Sequence, residues 1–254
     1  MSASSLSGLS FGPVVSKPVL SRSLTSLGVR RASELTVTGS ASGRVFPVLP
    51  ELAAMLPARG LVGGTTVLVR GSRSLLLALL AAATGSGSWA ALVGMPEIGV
   101  PAAAELGVVL RRLALVPYPA GQASAVISAL LDGMDLVAVS TGVLTGALTG
   151  AAGRTPALAR RLSARARHCG AVLLAFGDRW PAADIELACE GATWFGLGHG
   201  YGYLNGRRVV LSLTGRGAAA RGRRQILLLP GPGGAVAGTT EHHHPPGETE
   251  AVAG

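Results

Sequence analysis

Short β-branched or aliphatic runs alternate with longer helical stretches through the middle of the chain. Residues 65–69 (TTVLV) predict a strand, followed by a helix over 74–83. Residues 89–93 (WAALV) predict a second strand. The helix after it, over 101–112, has Pro101 at its start, where a missing N–H costs nothing. Residues 113–116, 121–131 and 135–139 (DLVAV) continue the series as strand, helix and strand. A further helix is expected over 155–168, capped by Thr155 with Pro156 at its first position. Leu158, Leu162 and Ala166 share its apolar face, opposite the arginines. Residues 171–176 (AVLLAF) are the next buried strand. Apolar strands alternating with helices indicate a mainly parallel sheet covered on both faces. After Asp184 the helix signals stop. Residues 201–204 and 207–213 are expected as strands flanking a type I′ turn at Asn205-Gly206, and 225–229 as a last strand ending at Pro230. The predicted class is therefore α/β: a three-layer core whose sheet begins parallel and finishes with antiparallel strands.

The periodicity fades at both ends. Residues 1–43, rich in Ser and Gly, are expected to form a disordered N-terminal arm holding at most one short helix. Residues 231–254, a Pro/Gly-rich stretch with His242, His243 and His244, are expected as a disordered C-terminal tail to which no function is assigned. That leaves 44–230 as one folded domain, and a hydrophobic content of 48% suffices for its core. The longest apolar run, 75–83, stops at TGSGS, well short of the roughly 20 residues that cross a bilayer, so a core helix and no membrane partner are expected. No apolar segment follows a basic start, and the cytoplasm is the expected compartment.

Charge and cysteines narrow the chemistry further. A net charge of +9 suits contact with nucleic acid or an acidic protein surface. The basic residues are nearly all Arg, with Lys17 the single lysine, and GC-rich coding explains that bias as readily as phosphate contact does. Cys169 and Cys189 lie far apart, without a CxxC or a histidine at ligand spacing. They read as buried free thiols, with neither a disulfide nor a metal site.

In a parallel α/β sheet the ligand sits beyond the carboxyl ends of the strands, so a phosphate site is to be sought after the first core strand. Residues 70–74 there read RGSRS. A working P-loop, GxxxxGK[ST], offers a cradle of backbone N–H groups, a lysine for the terminal phosphates and a hydroxyl for magnesium. This loop is several residues too short and has no lysine. Gly71, Ser72, Arg73 and Ser74 are its remnant. Arg73 or Ser74 could hold an anion weakly at the helix start, but a plain strand-to-helix turn is the preferred reading, and no cofactor is expected.

The densest basic cluster is Arg207, Arg208, Arg216, Arg221, Arg223 and Arg224. Guanidinium groups there would suit phosphates or a partner's carboxylates; a solvated edge that keeps strands from aggregating is the alternative. Few aromatic residues interleave, which weakens the case for single-strand stacking. Arg160, Arg161, Arg165 and Arg167 read first as ordinary helix surface. Trp89, Trp180, Trp194 and residues 198–203 are accounted for by core packing and hairpin geometry.

Taken together, 46–230 resembles the RecA ATPase core. The phrases SLLLALLAAA, AAELGVVLRRLALVP, ARRLSARARHCGAVLL and LTGRGAAARGRRQILLLP resemble more closely the shortened RecA homologues of high-GC bacteria in the ImuA group. The resemblance implies a RecA-like core with a degenerate P-loop. It also implies a non-catalytic accessory role in DNA-damage-induced translesion synthesis, binding an ImuB-like polymerase homologue and also RecA or DNA. Departures from RecA support the loss of catalysis. The Walker B strand ends in Ser140 in place of a metal-binding aspartate. The strand after the next helix ends in Gly177-Asp178, where RecA has a γ-phosphate-sensing Gln. Glu97, near the place of the water-activating glutamate, cannot by itself supply the positioning and charge neutralisation of phosphoryl transfer. The segments matching RecA's DNA loops, 140–154 and 180–186, are altered, so strand exchange is not expected. Two alternatives stay open: a DNA-binding RecA-type ATPase or recombinase, and an SOS cell-division inhibitor like SulA, whose fold is also a trimmed RecA core.

Overall fold

The computed structural model describes residues 43–146, 155–197, 202–219 and 221–238. The alternation in the sequence becomes, in chain order, β1 (Val45–Pro47), α1 (Pro50–Ala53), β2 (Gly60–Val62), β3 (Thr66–Arg70), α2 (Arg73–Gly85), β4 (Ala90–Val93) and α3 (Val100–Glu105). There follow β5 (Leu113–Val116), α4 (Ala123–Gly133), β6 (Leu136–Ser140), α5 (Thr141–Gly146), α6 (Thr155–Cys169) and β7 (Val172–Phe176). The last elements are β8 (Ile185–Leu197), β9 (Gly202–Gly215), β10 (Arg223–Leu228) and β11 (Ala237–Gly238). Nine strands form one sheet in the order β11-β10-β9-β8-β3-β7-β6-β4-β5. Strands β8, β3, β7, β6, β4 and β5 pair in parallel, and β8 to β11 pair antiparallel. The expected class, and the change from parallel to antiparallel, are as the sequence predicts.

Sequence explains the layers. Strands β3, β4, β6 and β7 are apolar at nearly every position because both faces are covered. On one face lies α2, itself apolar all round, with Leu75, Leu76, Leu79 and Leu80 fully buried. Such a helix needs cover on its outer side too. The chain ahead of β3 supplies it: β1 and β2 pair as a two-stranded ribbon, and Phe46, Leu52, Leu56 and Leu61 join the same cluster as α2. On the other face, Ile127 and Leu131 of α4 and Ala159, Leu162 and Ala166 of α6 pack over Leu68, Val137, Val139 and Leu173. The buried Trp180 indole donates to Ser163 Oγ at 2.9 Å, so its N–H is not left unpaired in that layer.

Three expectations change. The helix predicted over 101–112 divides: α3 stops at Glu105, Gly107 takes φ +93°, and one 3-10 turn, Leu110–Arg112, leads into β5. A left-handed glycine just past a helix ends it. The hairpin turn expected at Asn205-Gly206 lies elsewhere, because both residues are inside β9 and the chain reverses between Leu197 and Gly202. Gly206 pairs with Phe195, and a Cβ there would stand 2.6 Å from Phe195 Cζ and 3.1 Å from the Pro230 carbonyl oxygen. Its glycine serves close approach, not a turn. Finally, the folded core passes Pro230: Ala237–Gly238 pairs with Leu227 and Leu228, and Val236 is buried. The arm expected over 1–43 (all but Gly43) and the tail from residue 239 lie outside the described residues. No helix among the described residues is long and apolar enough to cross a membrane.

Leu79, fully buried in the cluster that α2 shares with the lead-in ribbon, reports on this packing. Leu79→Ala is expected to lower the unfolding free energy by about 2–5 kcal/mol in urea titration. A loss under about 1 kcal/mol would contradict burial on both sides of α2.

Candidate functional site

Strand β3 ends at Arg70 and α2 begins at Arg73, so two residues make the whole connection. Gly71 adopts φ +78°, and a side chain there would collide with the Cys189 carbonyl oxygen on β8. The turn is thus pressed against the neighbouring strand. Ser72 is the N-cap of α2, its Oγ accepting from the Leu75 N–H at 3.2 Å.

A second donor completes this cap. Arg207, on β9, donates from Nη2 to Ser72 Oγ at 2.7 Å and from Nε to the Leu229 carbonyl oxygen at 2.9 Å. Its guanidinium lies 5.4 Å from the centroid of the Trp194 ring. Backbone pairing fixes its root, with Arg207 N–H on Pro230 O at 2.8 Å and Leu229 N–H on Arg207 O at 2.7 Å. A guanidinium of this chain therefore sits at the head of α2, held there by Ser72 and Leu229. The Arg73 guanidinium lies 5.8 Å over the Phe176 ring and 3.8 Å from the Glu97 carboxylate. Ser74 is half-buried in the first turn of α2.

The ends of the adjacent strands are covered in turn by α5, which starts directly after Ser140. Side chains at Gly177 and Gly94 would overlap Thr141 Oγ1 and Val143 Cγ2, so those two residues cover the exits of β7 and β4. Ser140, at the Walker B position, is half-buried at the end of β6. Among the described residues no cluster of His, Cys, Asp or Glu could hold a metal ion. The remnant Gly71, Ser72, Arg73 and Ser74 is brought together, and the groups around it are engaged with one another.

The basic cluster, by contrast, is divided. Arg207-Arg208 and Arg223-Arg224 are adjacent pairs within strands, so each must send its two side chains to opposite faces. Arg207 points to the α2 side. So does Arg223, which donates to the Ala54 and Met55 carbonyl oxygens at 2.9 and 3.2 Å and ties α1 to β10. Arg208 and Arg224 point outward, with Arg224 2.8 Å from Glu190; Arg216 and Arg221 are exposed between β9 and β10. Two of the six candidates thus hold the fold together. Trp194, expected in the core, is 49% exposed beside Arg207. The doubled arginines in a strand-like stretch were the available signal for this division. On α6, Arg165 donates from Nε and Nη2 to Asp132, and Arg167 lies 3.7 Å from Asp184. These are surface pairs of small energetic consequence.

Neither cysteine is an activated thiol. Burial pushes the Cys189 thiol above its ordinary value against the opposing influence of Arg207 and Ser72, and burial followed by the Asp132 carboxylate raises Cys169. At pH 7 both are expected to react with iodoacetamide more slowly than a free cysteine in mass-spectrometric time courses; faster alkylation of either would contradict this.

Comparison with known proteins places this geometry. The family model described as the MT3502 N-terminal domain matches residues 54–182, from the end of α1 to the segment after β7. The Mycobacterium tuberculosis protein Rv3395c is 42% identical over 129 residues, which is 50% of this chain and 58% of that protein. The chain therefore matches little more than half the length of that relative. Among solved structures the RadB recombinase superposes with a TM-score of 0.57 at 15% identity, covering 75% of this chain and 97% of the RadB chain. At that identity the likeness is one of fold, and the fold is RecA-like.

Removing the Arg207 side chain takes hydrogen bonds from both Ser72 and Leu229. Arg207→Ala is expected to destabilise the protein by about 1.5–3 kcal/mol in urea unfolding, and a change below about 0.5 kcal/mol would show that the contact is incidental.

Proposed function

The chain belongs to the MT3502 N-terminal domain family, and from the filled turn at the head of α2 we propose that it is a non-catalytic, RecA-like accessory protein of DNA repair. The observation that carries this reading is the two-residue connection Gly71-Ser72, too short to wrap phosphates in backbone N–H groups at the place where a RecA-type ATPase would hold them. Phosphoryl transfer is almost wholly positioning and charge neutralisation, which need a cradle, a cation for the phosphates and a metal ligand. Here the connection has two residues, the Ser72 hydroxyl already accepts from Leu75 N–H and Arg207, and Ser140 replaces the metal-binding carboxylate. What is left for a RecA-like body to do is bind.

The finer reading follows the resemblance to the ImuA group. The protein acts in the cytoplasm, in damage-induced translesion synthesis and mutagenesis, by holding an ImuB-like polymerase homologue, with RecA or DNA as further contacts. A fold likeness to a recombinase and a basic chain are compatible with that setting. The SOS setting and the partner rest on the resemblance alone.

Two measurements test it. Thermal unfolding with millimolar Mg–ATP is expected to match the nucleotide-free curve. Bound nucleotide at a hundred times its Kd would add about 2.7 kcal/mol, and a saturable shift of that kind would overturn the non-catalytic reading. Affinity capture of the full-length chain from DNA-damaged cells is expected to recover a polymerase homologue. Recovery of the cell-division machinery in its place would overturn the mutagenesis reading.

A further inference from the structure

We propose that the outward face of the β8–β9–β10 wing is a docking surface for a polypeptide segment that mixes acidic and aliphatic residues. This rests on the accessory reading, in which binding is the activity, and gives that activity a surface.

Period-two alternation makes the two faces of the wing unlike. One sends Leu187, Val209, Leu211, Leu213 and Leu227 into the core with α2. The other carries Arg208, Val210, Arg224 and Ile226, set side by side by the pairings Arg224↔Ser212, Ile226↔Val210 and Leu228↔Arg208. The cluster beneath α4 and α6 draws its strand residues from β3, β4, β6 and β7, so among the described residues that helical layer does not extend over the wing. Ile226 is 47% exposed. Five of the ten large hydrophobic residues exposed among the described residues lie on the wing strands; of these Trp194 pairs with Arg207 and shares its face, while Ile226 stands on the outward one beside Val210.

Charge selects the occupant. From Ile185 to Gly238 the chain has six arginines and two carboxylates. Both carboxylates are already engaged, Glu186 with Arg70 at 2.7 Å and Glu190 with Arg224 at 2.8 Å. Arg208, Arg216 and Arg221 have no carboxylate partner among the described residues, so the wing presents surplus positive charge beside apolar side chains. A partner's Asp or Glu would be steered to it, and its Leu or Ile would fit Val210 and Ile226. Nucleic acid fits less well. Stacking needs flat aromatic platforms, yet the outward apolar residues here are mainly aliphatic and the Trp194 ring already lies beside Arg207.

The test is fluorescence anisotropy with the full-length chain and three probes. These are a labelled peptide alternating Asp or Glu with Leu, the same peptide with Lys in the acidic positions, and an oligothymidylate. The acidic peptide is expected to bind, more weakly as salt rises, while the basic peptide does not. Arg208→Glu and Ile226→Asp should each weaken binding by about tenfold or more, and Arg160→Glu, on the exposed side of α6, should leave it unchanged. Circular dichroism checks the fold of each variant; should Ile226→Asp unfold, Arg208→Glu decides. Equal binding of both peptides, an equal loss in Arg160→Glu, or binding of the oligothymidylate alone with loss in Arg208→Glu would each overturn the proposal. None of these results bears on nucleotide binding, so failure of the docking surface is distinguishable from failure of the accessory reading.

Discussion

Two residues join the first strand of the core to the helix behind it, and the tightness of that connection governs the region around it. Gly71 can only turn left-handed against the Cys189 carbonyl, which brings β8 and its partner β9 up to the head of α2. Once β9 is there, the side chain of Arg207 falls within hydrogen-bond reach of the Ser72 hydroxyl and the Leu229 carbonyl oxygen. A helix N-terminus with unsatisfied N–H groups attracts anions; this one is capped by a hydroxyl that a guanidinium in turn holds in place. The same short connection ties the antiparallel wing to the parallel core.

The same economy appears at the other strand ends. Thr141 and Val143 lie over Gly177 and Gly94, so the carboxyl edge of the sheet, the usual ligand face of an open α/β fold, is packed with the protein's own side chains. Arg223 joins the end of α1 to the last long strand. Polar groups at this end of the sheet are engaged in internal contacts, and the outward face of the wing is left without a covering helical layer among the described residues.

Much of this was legible in the residues. The alternation of apolar strands and helices marked the parallel core, and the length of the RGSRS segment, with its missing lysine, marked the altered loop. The Asn-Gly dipeptide misled because it is a turn signal only where the chain reverses; at Gly206 the demand comes from a Phe195 ring approaching across the strands, which no local window can show. The ribbon of β1 and β2 was hidden because three-residue strands leave no period, although an α2 apolar on every side required something to cover it. The six arginines read as one patch because they are close in sequence. The expected strand 207–213 already parts Arg207 from Arg208, and starting the last strand at 223 would have parted the second pair, since neighbouring residues of a strand point apart.

The most direct measurement is a crystal structure of the full-length chain grown with Mg and a non-hydrolysable ATP analogue. The account predicts Arg207 on Ser72 and Leu229, with no nucleotide at residues 70–74. Phosphates seated on the Gly71 to Arg73 backbone, with Arg207 displaced, would contradict it.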